Sequence, residues 1–455
     1  MRLRYSMKPQ FFFTDIKDHP VAREYYDKYN QIDAILENNS SILNEIHKEL
    51  EMSMNTKNGR VSTFSTETIF RMLLVKCIEQ LTFRDLIIRV NDSTFLRNFT
   101  HIGCGDLMSI GLLDAAWKCI SREAWDRVNK HLLEYAKNEQ IITGTDFRLD
   151  STVCECNIHY PTDSSLLWDC YRVVSRNLRM ILKACPEHSK DFRFHEKKIK
   201  QLHTLISTRS SSKKKSTQRK VKKSMRILIE RVTAVWEKGH AISELLQELQ
   251  FNDVHKQLKE LLQKVELVLE QSKRKYIAEE KVPARDRIFS IFEDHTELLK
   301  RGKARKPIEF GHLVTLGQTK EKFISYYAVD SISDHDTKQK DIALESHKTD
   351  FGAYPDLFAA DKNYYVGMED VSDWEEKIDT YGIGKKGRRT EQEYEREHGE
   401  SFKSAQKFRA GCEGTISVLK RAFGLGRCVY RSFKSFASSI GRLVFCHNLV
   451  LLARK

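Results

Sequence analysis

FRLDST (Phe147–Thr152) closes an extended run, Ile141 to Val153, and offers Asp150 there. A second extended run, Tyr354 to Ala360, ends on Asp361 in LFAADKNYY, and Glu413 lies within FRAGCEGTISVLKRAFGLGR near the C-terminus. Three acids far apart in sequence, two on strands and one on an amphipathic helix, can converge on one site. Hard divalent cations such as Mg2+ take carboxylate oxygens, waters and phosphates as ligands, and two such ions can clamp an in-line phosphoryl displacement. The chemistry expected of Asp150, Asp361 and Glu413 is cutting or joining nucleic acid.

The charge balance agrees. With 77 Lys and Arg against 63 Asp and Glu, the chain carries a formal +14, which favours a polyanionic partner through counterion release from phosphates. A membrane surface would also suit that charge. No apolar run reaches the roughly 20 residues of a span, however, and the longest, Leu443 to Ala453, contains His447 and Asn448 and reads as a buried helix. MRLRYSMKPQFFF at the start lacks the apolar region of a secretion signal. Ten cysteines scattered over 455 residues suggest reduced thiols in a cytoplasm, and the Cys154/Cys156 pair has no partner motif at zinc-finger spacing, so it reads as strand packing.

Three textures follow one another. Residues 1–138 are helical, with N-cap material at Asn91, Asp92 and Ser93 and one or two helices between Ser109 and Lys137; whether they hold a DNA-reading helix-turn-helix stays open. Residues 166–304 form a helical insertion, with long charged helices over Lys197–Ile206 and Met225–Gln271 that lack a sustained heptad and so predict an antiparallel hairpin. Inside it, RSSSKKKSTQRKVKK carries Lys213, Lys214 and Lys215 and is either a solvated tip or a phosphate contact. Residues 139–165 and 305–455 carry the strands. Glu309–Leu316 and Lys322–Val329 make a hairpin, Thr337–Lys348 a helix, and the strand before Asp361 should lie parallel to the one bearing Asp150.

This order, with the residues around each acid, resembles the RNase H-like DDE transposases of bacterial insertion sequences. The specific pieces are LDSTVCECNIHYPTDSSLLWD (Leu149–Asp169), RGKARKPIEFGH (Arg301–His312), AADKNYY (Ala359–Tyr365) and RAGCEGTISVLKRAFGLGR (Arg409–Arg427). The family's spacing of Tyr, two residues, Arg, three, Glu, six, Lys is met by Arg409, Glu413 and Lys420, while Gln406 stands where the Tyr belongs. The resemblance implies an α+β or α/β fold with an RNase H-like mixed sheet, flanking helices, a DNA-end-binding N-terminal domain and a helical insertion. It also implies two Mg2+ ions, replaceable by Mn2+, held by Asp150, Asp361 and Glu413; element ends and target DNA as partners; no membrane; a homo-oligomer of at least two chains; and a nucleoid-associated place in a bacterial cytoplasm. Alternative readings are a nuclease of the same fold that never joins strands, and a non-catalytic architectural DNA-binding protein.

Local evidence is weighed beside this. At 100° per residue, Arg409, Glu413 and Lys420 fall within about 40° on a helix, next to an apolar stripe of Phe408, Cys412, Thr415, Leu419, Ala422 and Phe423; alone, the same pattern is a surface Arg/Glu pair. Asp146 shares a strand face with Asp150 and competes with it. His159, Asp163 and Ser164 read as shaping a loop beside the metals. In GKKGRR, Lys385, Lys386, Arg388 and Arg389 could follow a DNA backbone or simply be exposed.

Overall fold

The computed structural model describes residues 4–5, 19–53, 62–103, 105–106, 108–184, 193–300, 306–332 and 336–455. Residues 301–305, which open the RGKARKPIEFGH stretch, and most of the first 18 residues lie outside them. The chain forms two compact units, residues 1–155 with 312–455, and residues 156–311. The fold is mixed α+β with an open mixed sheet.

Seven helices open the first unit: α1 (Pro20–Asn38), α2 (Ser40–Ser53), α3 (Thr66–Ile78), α4 (Phe83–Asp92), α5 (Thr94–Thr100), α6 (Ile110–Cys119) and α7 (Arg122–Asn138). Their starts follow capping chemistry, since Ser65, Thr82, Ser93, Ser109 and Ser121 each accept a hydrogen bond from a first-turn backbone N–H. These helices share a unit with the sheet. Strand β1 (Asp146–Cys156) follows. It starts later than the extended run read from sequence and runs past it, so Asp150 sits mid-strand and does not end it.

The second unit is built on α8 (Asp163–Ala184), α9 (Glu196–Arg209), α10 (Lys215–Glu248) and α11 (Asn252–Tyr276). Antiparallel packing of α10 and α11 is legible in their contacts. Moving back along α10 from Ser243 through Trp236 to Lys222, the partners advance from His255 through Leu262 to Glu279. The expected hairpin thus exists, and α8 and α9 join its core of Leu166, Leu178, Ile206, Leu228, Val232 and Leu262. Asp163, 7% exposed, closes the base by accepting from Lys275, Tyr276 and Arg287. It is a clamp between the start of α8 and the end of α11. A short strand, β2 (Glu297–Lys300), lies within the stretch read as wholly helical and pairs antiparallel with the first residues of β3 (Ile308–Thr319).

Back in the first unit, β3 pairs antiparallel with β4 (Ile324–Val329), the expected hairpin. Helix α12 (Asp336–Phe351) leads to β5 (Leu357–Ala360), which lies parallel to β1. Then come α13 (Met368–Glu375), β6 (Thr380–Gly382), α14 (Glu391–His398), α15 (Glu400–Arg409), α16 (Gly411–Ala422), β7 (Arg427–Cys428) and α17 (Phe433–Leu452). The strand order is β3-β1-β5-β6, with β4 on β3 and β7 on β1. Among the described residues α17 is the one helix long and apolar enough to cross a membrane. It is longer than the apolar run suggested and packs as a core helix against α3, α7 and β4. Asn448 is satisfied there by the backbone N–H and C=O of Ile324. The eight described cysteines are not joined in disulfides, and Cys154 and Cys156 are buried in β1.

Two buried histidines give the first unit a pH signature. His347 donates its Nε2–H to the Gly144 carbonyl, 2.9 Å away, between the rings of Phe147 and Phe351, and His447 packs on Phe423 beside Asn448. Burial pushes both imidazoles down to about 4. An unfolded histidine titrates near ~6.5, so between those values the unfolded chain binds more protons and stability rises with pH. Urea midpoints should be steady above about pH 6.5 and fall as pH drops toward about 4. A His347→Gln variant should show a shallower slope between them; an unchanged slope would remove His347 from this account.

Candidate functional site

The β1–β5 ladder sets the site. Phe147 pairs with Phe358, Arg148 with Ala359 and Leu149 with Ala360 in a parallel register, so Asp150 and Asp361 are the next residues of two adjacent strands. Neighbouring strands lie about 4.8 Å apart and successive side chains alternate between faces. Phe147, Leu149, Phe358 and Ala360 enter one apolar core with Ala343 and Leu344 of α12. Arg148, Asp150, Ala359 and Asp361 take the opposite face, where α15 and α16 pack.

Arg148 anchors those helices. It is 4% exposed, and its guanidinium donates to Gln318 Oε1 at 3.0 and 3.3 Å and to the Phe408 carbonyl at 2.9 Å, 4.8 Å from the Phe408 ring centroid. Burial pulls its pKa below the usual arginine value. The helix read as continuous from Phe408 to Phe423 is two helices, with the break at Ala410. Gly411 opens the second because a Cβ there would stand 1.9 Å from Arg148 Nη1. Gln406 fixes the preceding turn to the ends of two strands, donating to the Gly382 carbonyl at 2.5 Å and reaching the Ala360 carbonyl at 3.4 Å. Where the transposase spacing has a tyrosine, this chain has a strand clamp.

Arg409 and Glu413 keep their expected relation across the break. Arg409 Nη2 is 3.7 Å from Glu413 Oε1, and Nη1 is 3.9 Å from Asp150 Oδ2. The guanidinium thus links the strand acid to the helix acid. Asp150 is mostly buried and accepts from the Ser151 N–H at 2.7 Å, whereas the Glu413 side chain is 72% exposed. Asp361 precedes the short turn Lys362–Tyr364 and its side chain makes no capping bond. Cys412 lies under the cluster, its thiol pushed up to about 12 by burial and then by the negative charge of Asp150. The carboxylate oxygens of Asp150, Asp361 and Glu413 do not all lie within 4.8 Å of one another. Arg409 stands between two of them, and uncompensated carboxylates repel. The three carboxylates offer only hard oxygen donors, the type that a cation of the Mg2+ class takes; Glu413 would have to turn inward to join the other two. Asp146 sits at the far end of the β1–β5 pairing, opposite Leu357, and 3.3 Å from Lys320.

The predicted cations divide. Lys420 lies half-buried further along α16. Lys385 is committed, its amine donating to both oxygens of Glu393 at 2.8 Å and its N–H to Glu397, while Arg389 donates to Glu397 at 2.6 Å. Lys386 and Arg388 flank Gly387, whose φ of +94° turns the chain in the left-handed region, and both are exposed. Lys213, Lys214 and Lys215 are exposed at the start of α10, in the other unit. Arg148 and Gln318 were not read as site residues from sequence, and Cys412 was read only as part of an apolar stripe; an arginine inside an apolar strand was the available signal. No protein-family model, curated protein or solved structure matches this chain.

The Glu393 carboxyl is held down at about 2 by hydrogen bonds from Lys385 and Tyr365 and from the Thr390 N–H. Glu393→Gln should release Lys385 and loosen the Gly384–Thr390 loop. Limited trypsinolysis at Lys385, Lys386 and Arg388 should then accelerate several-fold, because local opening of the loop becomes easier. An unaltered cleavage pattern would mean the ion pair does not anchor the loop.

Proposed function

We propose that this chain is a DNA transposase with an RNase H-like catalytic core, which binds the ends of its element, cuts them and joins the freed 3′ hydroxyl to target DNA. The observation that carries the reading is the placement of Asp150 and Asp361 at one register of adjacent parallel strands, with Glu413 linked to Asp150 through Arg409. Adjacent strand acids are what the family resemblance expects of Asp150 and Asp361, and Glu413 would join them by turning inward.

Bound divalent cations would supply charge neutralisation and activation of the attacking oxygen at such a site. The chain's own contribution is positioning. Asp150 and Asp361 are fixed by the sheet and present oxygens on the face that carries α16. Glu413, exposed in the first turn of α16, is the adjustable member. Arg409 holds a positive charge beside two carboxylates and becomes available to a phosphate when they are otherwise neutralised. Lys386 and Arg388 extend the positive surface beyond β6, and Lys213, Lys214 and Lys215 offer separate backbone contacts. Function as a synaptic complex calls for at least two copies of the chain.

The decisive assay uses labelled oligonucleotides carrying the inverted repeats that flank the coding region, with Mg2+ or Mn2+. Alanine at Asp150, Asp361 or Glu413 should lower cleavage by at least about 100-fold, the scale seen when reacting groups lose their positioning, while DNA binding persists. Asp146→Ala should cleave normally. Cleavage without joined products would favour a hydrolytic nuclease, and binding without cleavage an architectural protein.

The basic run makes a separate prediction. Gln at Lys213, Lys214, Lys215, Arg219, Lys220, Lys222 and Lys223 should weaken DNA binding and flatten its log-log salt dependence by roughly 0.9 per lost duplex contact. Lys222 should contribute least, since it already pairs with Glu279. A slope identical to that of the parent chain would return these residues to the role of a solvated helix tip.

A further inference from the structure

A cavity of about 280 Å³ lies beside the first turns of α17, lined by Trp117, Lys118, Tyr430, Arg431, Lys434 and Arg442 among others, with no carboxylate in its wall. Lys118 is neutralised by Asp114 at 2.6 Å. Arg431 and Lys434 are exposed at the rim.

Arg442 is the unusual member. It is 3% exposed, its guanidinium carbon sits 3.3 Å from the centroid of the Trp117 ring and 5.3 Å from that of Tyr430, and its Nε has no hydrogen-bond partner. Its titratable neighbours are the thiols of Cys77, Cys446 and Cys428 and the phenol of Tyr430. Behind the aromatic wall stands a second buried cation, Lys76, which donates to the Tyr430 hydroxyl at 3.2 Å and lies 4.3 Å from the Trp117 centroid. Burial, then the charge of Arg442, pulls its amine down to about 8.

Two cations held in an apolar wall without an acid are costly, and cation–π contact offsets only part of that cost. The positive end of α17 adds to the same potential, since Lys434, Ser435 and Ser438 of its first turns also line the cavity. An anion with several acceptor oxygens would satisfy the Arg442 fork and the helix end together. The cavity is larger than a bare phosphate needs, and the half-buried Tyr430 ring in its wall suits a base or sugar. We infer that the cavity bounded by Trp117, Tyr430 and Arg442 is a phosphate-binding site for a nucleotidyl group, supplied either by a free nucleotide or by a nucleic-acid strand. None of its residues belongs to the carboxylate cluster.

The test uses the full chain in EDTA, so that it is independent of any metal held by the carboxylates. Inorganic phosphate, a nucleoside 5′-monophosphate and a short single-stranded oligonucleotide without terminal phosphate are titrated, reading tryptophan fluorescence and the thermal midpoint. At least one probe should change the fluorescence and raise the midpoint. Arg442→Met should weaken that binding at least 10-fold. Arg431→Gln with Lys434→Gln, both on exposed side chains, should weaken it several-fold without loss of fold, and decides the matter if Arg442→Met does not fold. A mononucleotide response identifies a free nucleotide; a response to the oligonucleotide alone identifies the strand backbone. The inference is overturned if no probe moves either signal in the parent chain, or if the folded variants bind as tightly as the parent.

Discussion

The parallel pairing of Leu149 with Ala360 constrains the rest of the first unit. In a strand pair with period two, fixing one residue fixes the face of every other. Phe147 and Phe358 are fully buried in the core beneath α12, and their burial dictates that Asp150 and Asp361 emerge on the other face. A slip of one residue would drive a carboxylate into the apolar core and force a phenylalanine into the close-packed space that Ala359 and Arg148 occupy beneath α15, both unfavourable. The position of the acids is therefore enforced by side chains that take no part in their chemistry.

Two arginines divide the electrostatic work around those acids. Arg148 is buried and spends its donors on Gln318 and the Phe408 carbonyl, which holds the end of α15 against the sheet and sets where α16 can begin. Arg409 stays near the surface and faces Asp150 and Glu413 at nearly equal distances. Replacing either with lysine would not preserve its role, because each uses the breadth of the planar guanidinium to reach two groups at once. Arg148 secures geometry, while Arg409 offsets the negative charge of the two neighbouring carboxylates.

Much of this was legible in the sequence because it rests on local periodicity. The β3–β4 hairpin, the parallel strand before Asp361, the serine-capped helices and the α10–α11 hairpin all have pattern signals over many residues. Strands β2, β6 and β7 have two to four residues each and no period to read. The break at Ala410 was invisible because its cause is a tertiary neighbour, Arg148, more than 250 positions away in the chain. Likewise, GKKGRR reads as uniformly exposed until Glu393 and Glu397 of α14 are seen to neutralise Lys385 and Arg389. His447 and Asn448 shortened the apparent apolar run, yet both are buried within α17 because the backbone of β4 supplies hydrogen-bond partners for the amide.

A net charge of +14 favours a polyanionic partner on general grounds but does not say where one would bind. Many cations are already neutralised by an acid within ion-pair distance, Arg71 by Asp33 and Glu67, Arg127 by Glu45 and Glu49, Lys340 by Asp370, and such pairs offer little to a phosphate. The informative cations are those the fold leaves unneutralised. Lys386 and Arg388 meet that condition at the surface, on the tip of a loop whose neighbouring cations hold it in place. Arg442 meets it in the interior, where solvent cannot screen the charge and an anion gains most from arriving. These two places differ from the many other basic side chains because the fold holds the unpaired cation in position, on an anchored loop in one case and inside a cavity in the other.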